Sequence, residues 1–188
     1  MIHLFLPKKK FFPHEYVQSI YDVDYNKLYA EGFRLILTDL DNTLISYKES
    51  VPNEKLFEWK KQMEEIGFKI IVVSNSGKAR VKHFSDLFGV EYVSSATKPL
   101  KRGYKKGLKK TEFKKEEVIF FGDQLMTDIY GANRFGVAGI LVQAIDKKTE
   151  RFITKVNRFN EKRVLRSIKR KFPDKFKERL EEYYEKHF

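Results

Sequence analysis

The sequence predicts an α/β domain with a parallel sheet, because short apolar runs alternate along it with amphipathic stretches and glycines stand at several of the junctions. Residues 35–37, 70–73, 92–93, 118–121 and 140–142 are apolar runs with polar or glycine-containing flanks, as expected of five strands buried on both faces. Between them, residues 53–66, 78–88, 100–110 and 125–135 read as crossover helices. In the first of these, Leu56, Trp59, Met63 and Ile66 recur at helical spacing. Gly67, Gly89 and Gly136 follow three of the helical patterns, where a left-handed residue commonly ends a helix.

A chain of 188 residues with 41% hydrophobic and 34% charged residues has enough apolar material for one core and is not a disorder candidate as a whole. The absence of cysteine excludes disulfides, thiolate chemistry and cysteine-ligated zinc, and fits a reducing cytoplasm. The four histidines, His3, His14, His83 and His187, form no metal-binding spacing. No apolar run approaches the roughly 20 residues that span a bilayer. The N-terminal apolar cluster is followed by Lys8, Lys9 and Lys10 rather than preceded by charge, so it reads as neither a transmembrane segment nor an ordinary signal peptide. The net charge of +12 predicts attraction to polyanions, whether nucleic acid, anionic lipid or phosphorylated metabolites. Three segments are expected: an N-terminal arm with a short helix (1–32), a catalytic core (33–146), and a basic helical segment (147–188) that packs on the core or extends it. The last carries 15 Lys/Arg against 7 Asp/Glu.

In open α/β sheets ligands bind beyond the carboxyl ends of the strands, so the polar residues that close each apolar run are the candidates for chemistry. The first run ends in Asp39-Leu40-Asp41-Asn42-Thr43. One carboxylate there can attack phosphorus while the second protonates the leaving oxygen and then activates water. Two such aspartates can equally be a solvated turn. The second run ends in Ser74-Asn75-Ser76, whose hydroxyl and amides suit phosphate oxygens, although Ser74 alone reads as readily as a helix cap. Lys98 follows the third run and can neutralise phosphate charge or simply face water. The fourth ends in Gly122-Asp123, with Asp128 five residues beyond, oxygen ligands of the kind magnesium takes. Each feature has a bland alternative; four in this order, each closing a separate run, point together to one phosphate-handling site.

Placed this way, the sequence resembles the haloacid dehalogenase superfamily, whose four motifs match residues 39–43, Ser74, Lys98 and 122–128. The resemblance implies a Rossmann-like, three-layer α/β/α fold, with Asp39 as nucleophile and Asp41 as acid/base. It further implies that Mg2+ is bound by Asp39, the Asp41 backbone carbonyl and Asp123, with Asp128 as a ligand or acting through water. Ser74 and Lys98 would serve catalysis, with Thr43, Asn75 and Lys98 toward the substrate. An aspartate at position 41 favours phosphatase over dehalogenase chemistry. A closer resemblance, to the bacterial YqeG family, is carried by Phe12-Pro13-His14-Glu15-Tyr16-Val17 with Ser19-Ile20, by Leu40-Asp41-Asn42-Thr43-Leu44 and by Thr154-Lys155-Val156-Asn157-Arg158. That family is related to mitochondrial phosphatidylglycerophosphate phosphatases, which implies this lipid as substrate; the cysteine-free composition and the basic surface give the cytoplasm, or the inner face of the membrane, as the expected location.

Only about 30 residues separate the first two motifs and about 20 the next two, which leaves no room for a cap domain and predicts an open site. Such a site suits a large or surface-bound phosphate ester, or an oligomer that completes the enclosure. Phe152, Ile153, Val156, Phe159, Leu165 and Ile168 mingle with Arg151, Lys155, Arg158, Lys162, Arg163, Arg166, Lys169 and Arg170, a basic amphipathic pattern. It reads as a final helix packed on the sheet, and also as a surface for anionic phospholipid. Ile2, Leu4, Phe5, Leu6, Phe11 and Phe12 of the arm could insert at a bilayer or fold back on the core. The alternatives are a capless phosphatase of soluble sugar phosphates or nucleotides, and a basic RNA-binding protein with a vestigial site. No RNA-binding motif is visible, so no nucleic-acid partner is required.

Overall fold

In the computed structural model of the protein, residues 6–150 and 152–188 are described, apart from the side chains of residues 149, 152, 153 and 155. The expected roles of Ile2, Leu4, Phe5, Arg151 and the side chains of Phe152, Ile153 and Lys155 therefore lie outside the described residues. The strands are β1 (Glu15–Val17), β2 (Leu35–Thr38), β3 (Lys69–Val73), β4 (Glu91–Val93), β5 (Val118–Gly122) and β6 (Ala138–Val142). They form one six-stranded sheet, parallel throughout, in the order β1-β6-β5-β2-β3-β4.

Alternation along the strands divides the apolar residues between two faces. Ile36, Ile70, Val72, Ile119 and Phe121 pack with Tyr25 and Leu28 of α1 (Tyr25–Ala30), Leu56, Trp59 and Met63 of α2 (Glu54–Ile66), and Val81, Phe84 and Phe88 of α3 (Lys78–Phe88). On the other face, Leu35, Leu37, Ile71, Val73 and Phe120 meet Tyr104 of α4 (Lys101–Leu108) and Ala132 and Phe135 of α5 (Tyr130–Phe135). The result is the expected three-layer α/β/α arrangement. Local chemistry sets the helix ends: the Asn53 side chain accepts from Leu56 N at 2.9 Å to start α2, and Gly67 ends it at a φ of 107° that a side chain would strain.

Two elements differ from expectation. β1 is a sixth strand, where the sequence reads as an extended arm; three residues among aromatics and lysines are too few for an apolar run to stand out, and pairing with β6 makes the strand. The expected helix over 125–135 is divided, with a wide turn of π type at Leu125–Ile129 ahead of α5.

The chain ends in α6 (Phe152–Lys171), α7 (Pro173–Arg179) and α8 (Glu181–His187). Val164, Leu165 and Ile168 of α6 join Phe11, Phe12, Tyr130, Leu141, Phe176, Leu180 and Tyr183 in a third apolar cluster, so both ends of the chain pack together on the sheet. The Phe11 ring stacks on Tyr130 at 4.5 Å between centroids, and the Asn133 amide donates to the carbonyls of Lys10 and Phe12 at 2.9 Å each. Phe11 and Phe12 are thus core residues rather than membrane anchors, since a dry crevice with satisfied backbone groups already holds them. On α6, Arg163, Arg166, Lys169 and Arg170 face solvent, as do Val156 and Phe159. No helix among the described residues is long and apolar enough to cross a membrane.

Phe11→Ala should destabilise the whole molecule by about 3–5 kcal/mol, the range for emptying a buried phenylalanine site. Urea unfolding checks this; a loss below about 1 kcal/mol would mean that the arm is detachable.

Candidate active site

The sheet order creates the site. From β2 the chain runs outward to β3 and β4, then returns to β5 on the other side of β2, so the switch in direction falls between β2 and β5. Their register, Leu35 opposite Val118 through Thr38 opposite Phe121, brings the next residues of both strands side by side, and Asp39 N donates to Phe121 O at 2.8 Å. Asp39 and Asp123 are neighbours for this reason. On the other flank, the segment after β4 folds back over the sheet end, with Ala96 N donating to Ser74 O at 2.9 Å. Asn75 clasps that segment through both amide atoms: its Oδ1 accepts from Lys98 N at 2.7 Å and its Nδ2 donates to Lys98 O at 3.1 Å. Asn75, expected near the substrate, thus spends its amide on holding Lys98 in place.

Lys98 Nζ lies 2.9 Å from Asp39 Oδ1 and 2.8 Å from Asp128 Oδ1, with all three side chains almost wholly buried. Asp39, Asp123 and Asp128 each place a carboxylate oxygen within 4.8 Å of the others. Gly122 permits this convergence, because a Cβ there would overlap the Asp128 side chain. Asp128 is held further by Gln124 N, which donates to its Oδ2 at 3.0 Å, and by the buried Tyr104 hydroxyl, which donates to the Asp128 carbonyl at 3.1 Å.

Burial pushes the Asp128 carboxyl up to about 6 against the pull of Lys98, and pushes Asp123 well above the usual carboxylate range against that of Arg158. Burial alone would favour loss of the Lys98 proton, but Asp128 and Asp39 reverse this and hold the ammonium charged. Asp123 Oδ1 is buried with no hydrogen-bond partner. Three converging carboxylates, of which Asp123 carries an oxygen with neither a hydrogen bond nor an ion pair, form a donor set that fits a hard divalent cation.

The Asp41 side chain points elsewhere. Ser76 Oγ donates to its Oδ2 at 2.5 Å, and Arg80 Nε and Nη2 reach its Oδ1 at 2.7 and 2.6 Å. Burial, and then the Asp39 charge, raise the Asp41 carboxyl above its ordinary range, while Ser76 and Arg80 pull it back. Asp41 contributes no side-chain oxygen to the three-carboxylate cluster.

A cleft of about 320 Å³ opens over these groups, lined by Asp39, Asp41, Ser74, Asn75, Lys98 and, from the C-terminal segment, Asn157. Thr43 does not line it; it is buried behind the loop, beside a separate depression shared with Ile20 and Asn53. Glu150, Thr154 and Asn157 extend the wall of the cleft, and neither they nor Arg80, which pairs with Asp41, stands out in the sequence as a site residue. For Arg80 the signal was weak, one cation in a helix. Asn157 and Arg158 stood in the stretch that carries the YqeG resemblance, but amid so many basic residues they read as surface.

The chain matches the family model of haloacid dehalogenase-like hydrolases over residues 3–136. It is 39% identical over 164 residues to the probable phosphatase YqeG of Bacillus subtilis (strain 168), covering 87% of this chain and 95% of that protein. Among solved structures, an uncharacterized protein from Listeria monocytogenes serotype 4b superposes with a TM-score of 0.52 at 21% identity, over 63% of this chain and 85% of that one. One from Corynebacterium glutamicum superposes with a TM-score of 0.51 at 15% identity, over 66% and 93%. These two likenesses concern the fold. With the sequence matches spanning most of its length, the chain belongs to the haloacid dehalogenase-like hydrolases and, within them, to the YqeG family of phosphatases.

Proposed function

We propose that the protein is a magnesium-dependent phosphomonoesterase that works through an aspartyl-phosphate on Asp39, with phosphatidylglycerophosphate as its substrate. The observation that carries the chemistry is the buried meeting of Asp39, Lys98, Asp123 and Asp128 at the sheet switch point, beside an Asp41 whose proton affinity is raised. A carboxylate of Asp39 attacks phosphorus as the ester P–O bond breaks. Asp41 donates its proton to the departing alkoxide, which leaves as the alcohol. The Asp41 carboxylate then takes a proton from water as that oxygen attacks phosphorus, releasing orthophosphate and restoring both aspartates. Lys98 and the Ser74 hydroxyl stabilise charge on the phosphoryl oxygens. Asp39, Asp123 and Asp128 would hold Mg2+, with the Asp41 carbonyl, and the ion would supply neutralising charge for the phosphoryl group.

For the substrate, three features support the lipid: similarity over nearly all of the YqeG chain, a family that resembles the mitochondrial lipid phosphatases; the size of the cleft; and surface charge. A space of about 320 Å³ suits the phosphate and the terminal glycerol of the leaving phosphatidylglycerol, while its acyl chains stay outside. Charge fits too, since exposed basic residues of α6 suit an anionic surface.

Asp39→Asn should abolish phosphate release with the far-ultraviolet circular dichroism unchanged, and Asp41→Asn should slow release by about 10²–10⁴-fold. Near-normal turnover by either variant would remove that residue from the mechanism. Phosphatidylglycerophosphate in mixed micelles should be hydrolysed faster than sugar phosphates or nucleotides, and only with magnesium present; a soluble ester that outperforms the lipid would overturn the substrate assignment.

Metal binding should also be visible in stability. Without metal, Asp128 keeps its proton up to about pH 6 in the folded chain, whereas an unfolded aspartate loses it near pH 4. Between those values the folded state binds more protons, so this group's contribution to stability is present at low pH and lost as pH rises. Magnesium relieves the resulting repulsion, so it should raise Tm more at about pH 7.5 than at about pH 5, where protons compete with it. Equal shifts in differential scanning fluorimetry would argue against a metal site built from these carboxylates.

A further inference from the structure

We propose that Arg158 of α6 is a positioning residue for Asp123, making the C-terminal helical segment a working part of the metal site; this rests on the reading of Asp39, Asp123 and Asp128 as the cation's ligands. The Arg158 guanidinium grips Asp123 at two places. Nη1 donates to the Asp123 main-chain carbonyl at 2.7 Å, and Nη2 donates to its carboxylate Oδ2. Fixing both the backbone and one carboxylate oxygen leaves Asp123 a single orientation, in which the other oxygen, Oδ1, is the buried, unpartnered atom.

The guanidinium is itself held on its remaining sides. Glu150 Oε1 accepts from Nη2 at 2.9 Å and from Nε at 3.1 Å. Tyr183 Oη in α8 accepts from Nη1 at 3.2 Å, and Glu161 Oε2 lies 3.4 Å from the same nitrogen. The Tyr183 hydroxyl donates in turn to Glu161 Oε2 at 2.9 Å, and Glu161 Oε1 accepts from Met126 N at 3.4 Å in the turn that leads to Asp128. The clamp therefore links α6 and α8 to the segment between two of the three carboxylates.

A plug that merely neutralised buried acids could be a lysine. The contacts here need a planar fork, because carbonyl, carboxylate and Glu150 are met at once by three nitrogens in one plane. The Arg158 side chain is 12% exposed, so a group that failed to satisfy these partners would leave them in a place water barely reaches.

The test is isothermal titration of Mg2+ into the full chain, for the wild type, Arg158→Lys and Met63→Ala. Met63 of α2 is buried in the cluster on the face that carries α1, α2 and α3, and its truncation lowers stability without loosening α6. Arg158→Lys, folded by circular dichroism, should bind Mg2+ about ten- to a hundredfold more weakly, as loss of a ligand's orienting partner does elsewhere. Met63→Ala should lower Tm yet keep its Mg2+ affinity within about twofold of wild type. If Arg158→Lys does not fold, Tyr183→Phe replaces it, with a smaller loss in the same direction. Wild-type affinity in Arg158→Lys (or in Tyr183→Phe where that variant stands in) overturns the clamp alone, as does an equal loss in Met63→Ala. A wild-type chain that takes up no Mg2+ overturns the cation reading beneath it, and the clamp with it.

Discussion

Asp39, Asp123 and Asp128 meet at the sheet switch point, where Lys98 is in ion-pair contact with two of them and Arg158 with the third. Glu150 and Glu161 lie against the same Arg158, so among these buried side chains five carboxylates share two cations. Charge confined at this depth is costly unless it is paired, and the pairing here is incomplete. The rest of the structure serves this imbalance. The register of β2 against β5 sets two of the carboxylates side by side, the Asn75 clasp brings Lys98 between Asp39 and Asp128, and Gly122 clears space for Asp128. A site strained in this way is disposed to take a divalent cation and, next to it, a phosphate.

The elements that flank the catalytic sheet are therefore more than supports. The arm adds β1 and two buried rings, and the same apolar cluster receives α6, α7 and α8. Through that cluster, α6 is fixed where Asn157 lines the cleft and Arg158 reaches Asp123. A fold without room for a cap domain obtains one wall of its cleft from the C-terminal segment instead. The other walls come from the segments after β2, β3, β4 and β5.

Much of this was legible in the sequence. Central strands buried on both faces leave short apolar runs between polar or glycine-containing flanks, and the motif residues close those runs. Asp39, Ser74, Lys98, Asp123 and Asp128 could be picked out because strand ends in a parallel sheet converge by topology. What depended on long-range pairing was not legible. β1 is a strand only because β6 offers it an edge. Phe11 and Phe12 read equally well as membrane anchors until their crevice is seen. Arg80 and Arg158 are single cations in a chain with 38 lysines and arginines, and no local pattern tells the two that turn inward from those that face water. Thr43 and Asn75 show the converse: motif positions fix both near the site, but Thr43 lies outside the cleft and the Asn75 amide is bound to the Lys98 backbone.

The central claim, that these carboxylates converge to hold one divalent cation, is tested most directly by anomalous diffraction from crystals of the chain soaked in manganese. The account predicts one strong peak in contact with Asp39, Asp123 and Asp128. A cleft without a peak, or manganese bound only at surface acids, would contradict it.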